Sequence, residues 1–479
     1  MVSRFLSKIK EAGYAHTFED LIILPGMAKV EPTEITLTSR VSRRIRVELP
    51  FVSSPMDTVT EAEMAIELAR LGAVGVIHRN CSVEEQINMV RKVKRSESFI
   101  IRDVVTIEPE KTVGDAQVLM DIHEISGLPV VVGGKLVGII TGRDVRFTDH
   151  HLLVEEAMNK DVVVAHDGIS PDDAVDIMRM HKIEKLPIVD NENRLIGLIT
   201  YKDVRNRETH KGATRDKNGR LVVGAAISPF DSERAAKLSK TADFLVMDVA
   251  HYHNLNVIET TRGLLRKLDD CDIIVGNIGT KTAALDIAAR LDHVDGFRVG
   301  MGGGSVCTTT QLTKAGSPTP FATAQVADAV EELGLDAPII ADGGIRGAGE
   351  IAIVLALGAD AAMMGYVFAG CKESPGETSV IDGRMYKMHR GMGSASARQK
   401  RLALDRYQQP AKGIPEGTEA WVPYKGEVAG VVSELTHALK AAMGYAGAAN
   451  IEGLRKEAVV AVTSSAAHTK PADLVFRIS

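Results

Sequence analysis

The sequence predicts an α/β chain whose strands close into an eight-stranded parallel barrel, with a small second domain inserted into it. Three observations carry this. Eight short apolar runs alternate with helix-patterned stretches, six of them after residue 220. A duplicated segment of about fifty residues interrupts the series after its second strand. The polar and glycine-rich stretches follow the apolar runs, where a barrel of this kind builds its site.

Length and composition agree. A chain of 479 residues is too long for one ordinary domain, and 45% hydrophobic residues supply a sizeable core. A formal charge of −6 excludes a general nucleic-acid or membrane surface, so any anionic ligand needs a local site. Four scattered cysteines (Cys81, Cys271, Cys307, Cys371), with no CxxC pair, argue against a zinc site or a disulfide framework. They point to a reducing compartment. The opening MVSRFLSKIKEAGY has no signal-peptide core, and the apolar stretch Ile351–Gly370 is broken by Asp360 and small residues; the expected location is cytoplasmic.

Taken in order, Phe51–His78 reads strand, loop, amphipathic helix, strand, with Met64, Ala65, Leu68 and Leu71 on the buried helix face. The charged run Val90–Ser98 then reads as a solvated helix end or a linker. Residues 104–204 hold the repeat: VVTIEPEKTVGDAQVLMDIHEISGLPVVVGGKLVGIITGRDV returns as VVVAHDGISPDDAVDIMRMHKIEKLPIVDNENRLIGLITYKDV. Pro129 maps to Pro187, Gly138 to Gly197, and Thr141 and Asp144 to Thr200 and Asp203. The pair resembles a tandem CBS (Bateman) module. That likeness implies adenine- or guanine-nucleotide effectors bound through Thr141, Asp144, Thr200 and Asp203; the same aspartates could also simply cap the next helix.

After the polar linker Arg205–Arg220, six further strands are expected at Leu221–Ile227, Phe244–Val249, Ile273–Ile278, Phe297–Gly300, Pro338–Ala341 and Ala361–Met364. Helices at Glu233–Lys240, Lys281–Arg290 and Ala322–Leu333 separate some of them. With the two early strands this makes a (β/α)8, or TIM, barrel. The domains read 1–97 (barrel, first part), 98–207 (repeats about 98–150 and 156–207) and 208–479 (barrel, second part), with a flap at about 386–426. Polar groups follow six of the eight strands: Ser54-Pro-Met-Asp57, Asp248 and His251, Asn277, the glycine loop Gly300–Cys307, Asp342-Gly-Gly344, and Gly365. In the loop, four glycines precede Ser305 and Cys307, so backbone groups can approach a ligand closely and the thiol stands at its mouth as a nucleophile.

The cysteine loop, the DGGI segment, RGMGS, the Arg406-Tyr407 pair and the PEG element (Pro415–Gly417) together resemble the inosine-5′-monophosphate dehydrogenase / GMP reductase family over nearly the whole chain. The resemblance implies NAD-dependent oxidation of IMP to xanthosine 5′-monophosphate through a Cys307 thioimidate. Thr309, Arg406 and Tyr407 would then serve hydrolysis. It implies nucleotide contacts at Ser54, Met56, Ser305, Asp342, Gly344, Gly365, His389, Met392, Gly393 and Glu416. It places NAD at Asp248, Asn277, Gly300 and Gly302, and a potassium ion on the carbonyls of Gly302, Gly304 and Cys307. The family pattern also implies a homotetramer, or an octamer. The alternatives are reduction of GMP with NADPH, a diverged paralogue acting on a related purine nucleotide, and a non-catalytic nucleotide sensor. The chain departs from the pattern at Tyr366 (usually Ser), His389 (usually Tyr), Thr310 (usually Arg), and in AGSPTP and AAHTKPADL.

Overall fold

The computed structural model describes residues 13–96, 100–102, 104–123, 125–201, 204, 209–268, 271–399 and 416–464. The chain divides into two units: residues 1–94, 212–216 and 221–479, and residues 95–211 with 217–220.

The first unit is built on a closed barrel of eight parallel strands. They are β1 (Phe51–Ser53), β2 (Val74–Ile77), β3 (Gly224–Ile227), β4 (Phe244–Met247), β5 (Asp272–Ile278), β6 (Phe297–Val299), β7 (Ile339–Asp342) and β8 (Ala361–Met364). Neighbours in sequence pair in space, and β8 closes on β1 through Ala362–Phe51 and Met364–Ser53. These strands read as unbroken apolar runs because both faces are buried. Val52, Val74, Val76, Phe244, Val246, Ile274, Ile340 and Met363 fill the lumen. Phe51, Ile77, Leu245, Met247, Ile273 and Ala341 face the surrounding helices. The short ribbon Ser39–Arg40 with Arg46–Val47 contributes Val41 and Val47 to the lumen.

The helices depart from the sequence reading in two informative places. The run from Val90 is a helix end, as one of the two readings had it, but only half solvated; the helix spans Val83–Ser96, with Ile87, Val90 and Val93 as a buried stripe and Lys94 buried beside them. Lys94 Nζ donates to the Leu221 carbonyl (2.9 Å) and to both oxygens of Asp243 (2.8 and 2.7 Å), and lies 2.9 Å from Asp216. A charged run can hide a buried lysine when its partners come from far along the chain. The helix expected from Ala322 begins at Thr319, because Pro320 sits in the first turn, where its missing N–H is not needed.

In the second unit the first repeat carries a helix (Val113–His123) and a two-stranded ribbon (Gly127–Val132 with Lys135–Thr141). The second carries a helix (Pro171–His181) and the strands Ala165–His166, Lys185–Val189 and Leu195–Thr200 in one sheet. Each repeat has its own core, around Leu128 and Ile140 in one and Leu186 and Ile188 in the other. The repeats also exchange edges: Ile101 bridges to Leu198, and Ile139 to Asn159.

Candidate active site

The loops at the C-terminal ends of the strands enclose a cavity of about 600 Å³. Ser54 and Met56 reach it from the β1 loop, Asn277 from the end of β5, and Gly300 to Cys307 from the β6 loop. Asp342 to Gly344 come from β7 and Gly365 with Tyr366 from β8. The last wall is a three-stranded antiparallel sheet, β9 (Thr378–Ile381), β10 (Arg384–Arg390) and β11 (Glu419–Pro423), which contributes His389 and, from its connecting segments, Met392, Gly393 and Glu416.

The cysteine loop folds as it does because its first glycine is obligatory. Gly300 has φ of +125°, and a Cβ there would collide with the Asp342 carbonyl of the next loop. The Cys307 N–H donates to the Gly304 carbonyl (3.0 Å), which turns the thiol inward. Cys307 Sγ donates to Thr309 Oγ1 (3.4 Å), and Thr309 Oγ1 donates to Glu416 Oε2 (2.9 Å). Backbone pairing of Cys307 with Gly417, and of Thr418 N–H with the Val306 carbonyl (3.0 Å), fixes that three-residue line. Of the four cysteines Cys307 alone is half-exposed; the others are buried, and burial pushes the Cys271 and Cys371 thiols up to about 12. The reactive thiol is therefore the one in the cavity.

Asn277 Nδ2 donates to the Gly300 carbonyl (3.0 Å) and to Asp342 Oδ2 (2.9 Å), tying three loops together. Arg298 on β6, absent from the sequence reading, donates through Nε to Asp342 Oδ2 (2.8 Å) and through Nη1 to Asp248 Oδ1 (3.2 Å). Its signal was present: a lone charge inside the apolar run FRVG has to be paired to be buried. Asp248 is not on the cavity wall. Its side chain is fully buried, held by Arg298 and by Arg79 Nε at 3.4 Å, so here it orients Arg298. Thr319 also went unnoticed; its hydroxyl lies 3.0 Å from the Asp342 carbonyl and 2.7 Å from that of Gly343, bracing the β7 loop.

The wall carrying His389 is anchored by a buried ion pair. Arg390 donates through Nε to Asp57 Oδ1 (3.0 Å) and through Nη2 to Oδ2 (2.6 Å), and Asn80 Nδ2 donates to the same Oδ2 (2.7 Å). Burial alone would raise the Asp57 carboxyl, but hydrogen bonds from Arg390 and Asn80 and the guanidinium charge hold it below the usual carboxylate value. His389 is itself buried, which pushes its ring down to about 4 and keeps it neutral.

The other sequence candidates stand apart. Thr141 caps the helix Gly142–Arg146, and its N–H and hydroxyl both donate to Asp144 Oδ2 (2.7 Å each), so that carboxylate serves as a helix cap here. Thr200 ends its strand in the other repeat. Asp203, Arg406 and Tyr407 lie outside the described residues, as does the whole of AAHTKPADL.

A barrel rim with a half-exposed thiol, an Asp-Gly-Gly turn and a sheet-borne wall is a specific combination. Residues 15–471 match the model of the IMP dehydrogenase / GMP reductase domain. The chain belongs to this family. Inosine-5′-monophosphate dehydrogenase of Korarchaeum cryptofilum is 53% identical over 458 residues, 95% of this chain and 96% of that protein. The enzyme of the same name from Methanocaldococcus jannaschii is 45% identical, covering 98% of both chains. Among solved structures, a variant GMP reductase from Trypanosoma brucei in complex with guanosine 5′-monophosphate superposes with a TM-score of 0.88 at 34% identity, covering 96% of this chain and 98% of that one. Among the described residues, no helix is long and apolar enough to cross a membrane.

Proposed function

We propose that this member of the family oxidises inosine 5′-monophosphate to xanthosine 5′-monophosphate with NAD. The naming of the relatives at 41–53% identity supports the reaction. The line Cys307–Thr309–Glu416 is the observation in the site that carries it. Because Thr309 gives its proton to Glu416, its oxygen lone pairs are left to accept the thiol proton. The carboxylate is thus the sink that lets Cys307 attack purine C2 as a thiolate. NAD, when bound, accepts the hydride that leaves C2. The ring then remains attached to Cys307 as a thioimidate. Water adds to C2, the C–S bond breaks, and the thiolate is regenerated as the product's 2-oxo group forms. Arg406 and Tyr407 are proposed, from the family pattern, to activate that water.

Ser305, Gly344, Gly365 and His389 are proposed to hold the phosphate, Asp342 the ribose, and Ser54, Met56, Met392 and Gly393 the purine. The nicotinamide end falls to Asn277, Gly300 and Gly302, with Asp248 acting through Arg298. A potassium ion is proposed to rest on the carbonyls of Gly302, Gly304 and Cys307. The Gly302 carbonyl accepts from Thr310 Oγ1 (3.3 Å) and the Gly304 carbonyl from the Cys307 N–H, contacts that orient these oxygens and leave each a second lone pair for a cation. The inserted unit is proposed to be a tandem CBS module that binds adenine or guanine nucleotides, and the assembly a homotetramer.

Arg406→Ala tests the reaction. With IMP and NAD, rapid mixing should give a burst of about one NADH per site followed by turnover slowed ~10²- to 10⁴-fold. An unchanged steady state would refute the hydrolytic role. Reduction of GMP with NADPH is the second reading, favoured by the GMP-bound reductase at TM-score 0.88. Its test is NADPH consumption with GMP by the wild-type enzyme.

A further inference from the structure

His389 is 1% exposed, yet it lines the cavity, and its Cε1 lies 3.8 Å from where a Cβ on Gly365 would stand. The ring is neutral, so one nitrogen carries a proton and the other a lone pair, and which is which decides whether the cavity meets a donor or an acceptor. The neighbour on the other side of the ring is Thr58, 4% exposed and absent from the cavity wall, with Oγ1 at 3.3 Å from Nδ1.

Thr58 settles the choice through its other partner. The backbone N–H of Arg390 donates to Thr58 Oγ1 (3.2 Å), and that N–H is fixed because the Arg390 side chain is locked on Asp57. The hydroxyl oxygen already accepts there, so its own proton must go elsewhere. Directed at Nδ1 it is satisfied. If Nδ1 carried the ring proton instead, the hydroxyl would accept twice and its buried proton would have no acceptor, a penalty comparable to a lost hydrogen bond. The charged groups beside the ring, Asp57 and Arg390, are paired with each other and leave it neutral.

We propose that Thr58 is a positioning residue for nucleotide recognition: its hydroxyl donates to Nδ1 of His389 and commits the ring proton to Nε2, on the cavity side, as a donor to the substrate phosphate. This rests on the nucleotide reading of the cavity given above. The phosphate accepts hydrogen bonds only, so a ring in the opposite tautomer would face it with a lone pair and repel it. A threonine behind the cavity wall thereby sets the polarity of His389.

The test compares Thr58→Val, which keeps the shape and removes the hydroxyl, with Thr58→Ser, which keeps the hydroxyl. Calorimetric titration without NAD uses IMP and, as the probe lacking phosphate, inosine. Thr58→Val should weaken IMP binding by about 10- to 100-fold, the scale of one hydrogen bond to a charged group, and leave inosine binding within about twofold. Thr58→Ser should restore IMP binding. Equal losses for IMP and inosine, or no loss for either, overturn the proposal. A second measurement does not depend on the variants folding: ¹⁵N-histidine spectra of the wild-type enzyme, with the His389 signal assigned by its absence in His389→Asn. The Nε2–H tautomer is expected; the Nδ1–H tautomer overturns the proposal. Because binding is read without turnover, an enzyme that binds IMP but reduces no NAD would end the dehydrogenase reading while leaving this inference standing.

Discussion

Removing the Asp57 carboxylate should detach the wall that carries His389, Met392 and Glu416. In the native fold the Asp57 side chain is 1% exposed and Arg390 15%, and two hydrogen bonds join them. Asp57→Ala deletes both bonds and the one from Asn80, leaving a guanidinium buried without its counter-charge. Breaking a buried pair from one side costs about 3–5 kcal/mol. The sheet β9–β11 can evade part of that cost by lifting so that Arg390 reaches water, which makes the loss local as well as global. Urea unfolding should therefore show a loss of up to ~3–5 kcal/mol, or a smaller loss with a shallower, non-coincident transition. Limited proteolysis should cut within 384–399 well before the barrel opens. IMP binding should weaken at the same time, because His389 and the Gly391–Gly393 backbone sit on the moving part. Unchanged stability, within ~0.5 kcal/mol of wild type, together with unchanged proteolysis would refute the reasoning.

Three further outcomes follow from the same geometry. Cys307→Ala should form no NADH and still bind IMP, checked by absorbance and calorimetry on one preparation. Lys94→Met should lower stability by about 3–5 kcal/mol in urea, since Asp216 and Asp243 would be left buried beside an apolar chain. His389 should make the fold acid-sensitive. Its folded value of about 4 lies below its ordinary 6.5, so between those values the unfolded chain holds a proton that the folded one does not. Its contribution is full above pH 6.5 and falls away as pH drops toward 4, so melting temperature should fall over that window and fall less in His389→Gln.

The barrel was legible because its strands are buried on both faces, so that Phe244–Met247 and Asp272–Ile278 appear as continuous apolar runs with no alternation to misread. The cysteine loop was legible because glycine at Gly300 answers a close approach that no other residue tolerates. What remained hidden depends on distance along the chain. Lys94 looked solvated because Asp216 and Asp243 are far away in sequence, and Asp248 looked ligand-facing because nothing local shows that Arg79 and Arg298 enclose it. Thr309 and Glu416 could each be picked out, but not their hydrogen bond, which spans the flap.

The edge exchange between the repeats bears on how the barrel is completed. Strands β2 and β3 are neighbours in the closed barrel, with Val76 paired to Gly224, although the whole inserted unit lies between them in the chain. On a ribosome adding about 5–20 residues per second, β1 and β2 emerge with an open edge and wait for their partner. If the insertion stayed unfolded, that pairing would carry the closure entropy of a very long loop, which rises with the logarithm of its length. Because Ile101, near the start of the inserted unit, bridges to Leu198, near its end, folding of the second repeat draws the two ends of the insertion together. The duplicated domain is then a tether-shortener: once Ile101 and Leu198 are bridged, the chain between β2 and β3 is reduced to the segments 78–100 and 199–223. The order of synthesis and the order of assembly need not agree in such a chain, and an early, self-sufficient insertion reconciles them.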